Sequence, residues 1–221
     1  MITRIKSFFL LLILIVEVSL YSQSFTLGLK AGPNFTNITG YNSIVSEYRQ
    51  SINVSAFAFA PISKNIDGLF ELSYEQKGFN YSLQDISNSM RTEGERIYDY
   101  LTLPVGFKYN FGKKLKPYAK IGIFLAILLD AKDIATETNY AVSPPVENSW
   151  DESIMYKTET IDLGIFFGFG IQYQFSSKFI LLIEGNLKSG LMLLEPDQIL
   201  VEEMRHKSFL LNIGFGYILN K

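Results

Sequence analysis

From residue 25 onward, large apolar residues alternate with small or polar ones, a period of two that predicts strands rather than helices. In FTLGLKAGPNF, Phe25, Leu27, Leu29, Ala31 and Phe35 share one face, and Thr26, Gly28, Lys30, Gly32 and Asn34 the other. The pattern returns in 52–60, 68–79, 100–111, 117–128, 161–175, 178–190 and 208–218. In IDLGIFFGFGIQYQF (161–175) one face is all large apolar groups and the other is mostly glycine and amide. Pro104 falls on the polar face of its strand, which predicts a bulge or an unpaired position. These eight strands run roughly nine to fifteen residues, against about five or six for a globular strand and about nine to eleven for a tilted bilayer crossing.

The connections alternate between long and short without exception. Three are short, PISKNID, GKKLK and SS, and every other one is long. Such asymmetry is expected of a transmembrane barrel, with periplasmic turns at one end and external loops at the other. The expected fold is therefore all-β, an eight-stranded antiparallel up-and-down transmembrane β-barrel.

Alternation alone also fits a soluble lipocalin-like carrier, with its apolar face around a ligand. The glycines argue against it. Gly28, Gly32, Gly106, Gly122, Gly164, Gly168, Gly170, Gly214 and Gly216 would be bare backbone on a soluble surface, whereas a narrow lumen needs small residues. The same face carries Lys30, Glu71, Glu75, Lys108, Lys120, Glu184 and Lys188, of mixed sign, which are expected to pair across the lumen. On the apolar face, Phe25, Tyr109, Phe111, Tyr173, Phe175, Phe179 and Tyr217 all border a short turn or a terminus. They are expected to form an interfacial aromatic girdle at one level.

Composition narrows the chemistry. The formal charge of −2 over 221 residues, with no basic stretch, gives no footing for nucleic acid. The absence of cysteine excludes disulfides and thiol nucleophiles, and the single histidine excludes a multi-histidine metal site. No cofactor is implied. Residues 1–22 hold Arg4 and Lys6 before an apolar run and end at Ser22, which reads as a cleaved export signal, leaving 23–221 as the barrel domain. His206 and Ser208 share a strand face, and Glu202 or Glu203 could orient the histidine, so a lipid-modifying enzyme is a lesser alternative. The carboxylates of 130–159 read as a solvated loop.

Several stretches carry a family likeness. SAFAFAPISKNIDGLFELSYEQKGF (55–79), with Glu71, Leu72, Tyr74, Gln76, Lys77 and Gly78, resembles a hairpin of the outer-membrane β-barrel domain common in Bacteroidota, the porin-family or PorT-like group. YLTLPVGFKYNF, KPYAKIG and LGLKAGPNFTNI are similar to other strands of that family, and the likeness spans roughly 23–219. The terminal ILNK departs from it by lacking a final aromatic, a role open to Phe215 or Tyr217. The resemblance implies an eight-stranded barrel in the cell outer membrane and, by resemblance only, a PorT-like role in secretion; the expected function is a non-catalytic barrel whose long loops contact the exterior or partners. Expected partners are outer-membrane lipid, the barrel assembly machinery and an extracellular or secretion-system protein.

Overall fold

The computed structural model describes residues 25–40, 45–112, 115–194 and 204–219. The export signal read at 1–22, with Ser22, and the residues Glu202 and Glu203 lie outside the described residues. Among the described residues, nine antiparallel strands form one sheet: β1 (Phe25–Thr39), β2 (Val45–Pro61), β3 (Ile66–Asp85), β4 (Met90–Asn110), β5 (Leu115–Asn139), β6 (Val146–Ser153), β7 (Ile161–Gln174), β8 (Phe179–Gly190) and β9 (Arg205–Leu219). Eight of them close a ring. β1 pairs with β9, β4 pairs with β5, and β5 continues to β7, while among the described residues β6 pairs with β5 alone.

The ninth strand corrects the expected count, and the reason lies beyond the barrel wall. β3, β4 and β5 run 20, 21 and 25 residues, far past a bilayer crossing. Their outer ends, with β6, form a protruding sheet where the sequence reading placed loops. There Phe79, Tyr81 and Leu83 of β3 keep the alternation, but the outer ends of β4 and β5 and all of β6 carry Thr, Glu, Asn and Arg or Asp with few apolar residues, so no apolar alternation marks those three. The register shift at Asp99/Tyr100, with Leu129 as the extra residue of β5, lies where the protruding sheet leaves the barrel. At Pro104 the register holds, from Phe70↔Val105 to Ser73↔Thr102, but the β3 ladder skips Leu103 and Pro104. The missing N–H interrupts pairing there without a bulge.

The short connections, the start of β1 and the end of β9 share one end of the barrel. The outer wall is apolar: Leu29, Ile123 and Ile213 are 66%, 64% and 63% exposed, while Lys108 and Glu184 are 1% and 2% exposed. This orientation overturns the carrier alternative, which requires the apolar face inside. The inward face is not all small, however. Phe57, Tyr118, Phe124 and Phe166 point into the lumen. Each stands directly across the ladder from a glycine, in the pairs Phe57↔Gly28, Tyr118↔Gly170, Phe124↔Gly164 and Phe166↔Gly122. A side chain at any of the four glycines would collide with its partner's ring at 2.3 to 2.7 Å. The glycine face is thus the seat of large rings, an arrangement that fills the volume an eight-stranded ring encloses.

Candidate functional site in the lumen

The rings seated on glycine create flat, electron-rich surfaces inside the barrel, and lysines lie over them. Lys30 lies 5.9 Å from the Phe57 centroid, Lys120 5.8 Å from Phe166, and Lys188 5.6 Å from Phe124. Lys108 sits 4.2 Å from Phe59 and 4.9 Å from Tyr118, and Lys77 4.7 Å from Tyr100 and 4.8 Å from Phe124. Cation–π attraction strengthens where water is excluded, and all five lysines are buried. A desolvated ammonium still requires an anion, and each of the five has one.

Four charges form the central cluster. Lys30 Nζ donates to Glu71 Oε1 at 2.5 Å and to Glu184 Oε1 at 2.7 Å. Lys120 Nζ donates to the same two oxygens at 3.0 and 2.8 Å. The Tyr118 hydroxyl donates to Glu184 Oε2 at 2.7 Å, and Asn186 Nδ2 to Glu184 Oε1 at 2.9 Å. Glu184 is held by two lysines, one phenol and one amide, so its buried charge is fully compensated. Toward the protruding sheet, Lys188 pairs with Glu75, and Lys77 with Asp162 at 3.1 Å. Toward the short turns, Lys108 donates to Asp67 at 3.1 Å and to Gln172 at 2.8 Å. Among the described residues, five lysines thus meet five carboxylates inside the barrel.

The seven charges read from sequence are divided by the structure into separate groups. Lys30, Glu71, Lys120 and Glu184 are one cluster, Glu75 and Lys188 are a second, and Lys108 stands apart from both. Lys77, Asp67 and Asp162 stand outside the set of seven charges that the sequence marks for the lumen. Lys77 continues the alternation of Glu71 and Glu75, and Asp162 heads the glycine face of 161–175, so the period of two held the signal for both. The sequence reading left Asp67 in a turn, whereas β3 begins at Ile66. At the short-turn end the lumen opens into a polar recess of about 290 Å³, whose walls include Lys64, Asn65, Asp67, Lys108, Gln172 and Gln174.

Outside the barrel, Tyr109, Phe111, Tyr173 and Phe175 are exposed, and Phe25, Phe179 and Tyr217 half-buried, all at the short-turn end. Tyr109 meets Phe111 edge-on at 4.7 Å, and Phe179 lies 5.3 Å from Tyr217 and 6.1 Å from Phe175. Phe25 sits on β1 opposite Leu219, and Tyr173 opposite Leu115 and Leu181.

His206 and Ser208 are both buried on the lumen face of β9. The imidazole stands edge-on to Tyr98 and Tyr100 at 5.1 and 5.5 Å. Among the described residues neither ring nitrogen makes a hydrogen bond, and neither does Ser208 Oγ. The relay that nucleophilic catalysis requires is therefore not assembled among the described residues. Nor does any group of three or more His, Asp or Glu among them offer a metal site.

No curated protein sequence matches the chain. Among solved structures it is similar to the outer membrane protein OprG from Pseudomonas aeruginosa, with TM-score 0.54 and 9% identity over 90% of this chain and 97% of that one. It is also similar to Ail, the attachment invasion locus protein of Yersinia pestis, with TM-score 0.39 and 11% identity over 88% and 98% of the two chains. Neisserial surface protein A gives TM-score 0.44 and 10% identity over 87% and 98%. At these identities only the OprG likeness speaks, and it speaks for the fold. A closed ring with an apolar outer wall and an ion-paired lumen accords with the match of residues 21–194 to the outer membrane protein beta-barrel domain, and the chain belongs to that family of the outer membrane.

Proposed function

We propose that the protein is a non-catalytic, sealed outer-membrane barrel that anchors its protruding sheet at the cell surface for contact with a partner. The lumen carries this reading: five ion-paired lysines and the rings beneath them occupy the volume that eight strands enclose. A chain of desolvated, mutually satisfied charges resists opening, because freeing one charge leaves its partner buried alone. The length of β3, β4 and β5 beyond the bilayer supports an external contact role. The girdle residues at the opposite end support a periplasmic interface level for the short turns, and lipid and the assembly machinery are then the partners of the wall. The Bacteroidota-type motifs of 55–79 support a PorT-like, secretion-associated setting within that role.

Planar-bilayer recording on the refolded protein tests the seal. The expected record shows no steady conductance at moderate voltage. Stable open-channel steps in the unmodified protein would refute the sealed lumen.

A further inference from the structure

β6 is the last strand of the sheet, and among the described residues its outer edge meets no other strand. It pairs with β5 from Lys132↔Ser153 to Asn139↔Val146, which leaves the backbone N–H and C=O groups of alternate residues along this eight-residue strand facing outward. An edge of this kind is a template for another strand.

The platform behind it is firmly built. Tyr81, Gly94, Ala135 and Trp150 lie side by side across β3, β4, β5 and β6. Trp150 packs against the buried cluster that contains Tyr81 and Ala135. The Tyr81 hydroxyl donates to Asp133 Oδ1 at 2.7 Å, and Arg96 Nε donates to Asp133 Oδ2 at 3.2 Å. The edge is thus presented on a sheet with its own apolar and ionic contacts.

Charge selects the occupant. VENSWDES holds the exposed carboxylates Glu147, Asp151 and Glu152 and no cation. A second copy of β6 would set three carboxylates against three, which disfavours self-pairing. We propose that the free edge of β6 is a strand-addition site for an extended, basic segment of a partner protein at the cell surface. The pleat dictates the pattern of that segment. Glu147 and Asp151 share one face, so their cross-strand partners are basic and four positions apart. Trp150 faces the other side, so the residue opposite it, adjacent to one basic residue, is apolar.

The proposal rests on the surface orientation given above, and its test separates the two. A labelled peptide built on Lys-Val-Thr-Thr-Lys is titrated onto the full chain refolded in micelles. N-methylation of alternate residues in one phase, the one facing β6, is expected to weaken binding about tenfold or more, and methylation in the other phase to leave it intact. Glu147→Lys with Asp151→Lys is expected to weaken the unmodified peptide by a similar factor. Both positions are exposed, and a heat-modifiability gel checks that the variant barrel is folded. Equal affinity of both methylated peptides, or no saturable binding, overturns strand addition. Binding in micelles that is absent on intact cells keeps the edge site and overturns the orientation.

Discussion

Phe124 stands directly opposite Gly164 in the β5–β7 ladder, and its ring fills the place a side chain at 164 would take, at 2.3 Å from Cζ to an added Cβ. The same ring lies beneath Lys77 and Lys188. One glycine therefore supports one aromatic, which supports two cations, each of which holds its own carboxylate. Gly164→Val should push the ring off its seat and destabilise the barrel by about 1–3 kcal/mol, the usual effect of overpacking. Gly185 faces outward, and an added Cβ there meets nothing nearer than 3.6 Å, so Gly185→Ala should be near neutral. Denaturant midpoints of the two refolded variants decide the matter. Equal shifts would show that the glycine seats are not specific.

Paired charges should behave non-additively. Glu75→Gln leaves Lys188 buried without its anion, and Lys188→Met leaves Glu75 without its cation. Each single variant should cost about 3–5 kcal/mol. The double variant removes both charges together and should cost less than either one. A double-mutant cycle on unfolding free energies reads the coupling directly, and an additive result would mean the pair is not the stabilising unit.

The reach of the sequence differs sharply along one strand. At β5, Ile121, Ile123 and Ile127 are visible as lipid-facing from alternation alone, and Lys120 as inward. Phe124 shares the phase of Lys120, yet its size conflicts with the rule that large residues face lipid. The space that admits its ring is at Gly164, forty residues away, and that relation exists only once the register is known. The pairing of Lys108 with Asp67 rather than with the central cluster was hidden likewise, since charge sign and phase assign a residue to the lumen but not to a level. β6 was hidden for another reason. Val146–Ser153 is exposed almost throughout, so burial imposed no alternation for a reader to find. Its pairing rests on the β5 ladder, with one interior contact through Trp150.

Depth should grade the tolerance of the outer wall. Ile213 lies in the middle of β9, paired with Ala31 and Ile183, whereas Phe111 follows β4 at the short-turn end. Ile213→Arg should cost about 2–4 kcal/mol in a bilayer and Phe111→Arg about 0–1, because only the first cation is held in hydrocarbon. Reversible unfolding from lipid vesicles measures both. A reversed ranking would displace the bilayer midplane from the position the girdle implies.

The protruding sheet carries its own pH response. Burial pushes the Tyr81 hydroxyl up, aided by its hydrogen bond to Asp133 and that carboxylate's charge. The folded value stands above the unfolded one, so the contribution is complete below a pH of about 10 and is lost as pH climbs through the raised folded value. Trp150, the chain's single tryptophan, packs on the same cluster and reports the change through its fluorescence. Emission should shift to the red as pH rises above about 10. Tyr81→Phe should cost about 1 kcal/mol at neutral pH, because Arg96 still holds Asp133. In that variant the alkaline shift should be weaker, since the phenol that drives it is gone. An emission maximum that stays fixed through the alkaline range in the unmodified protein would show that the Tyr81–Asp133 bond does not hold the sheet together.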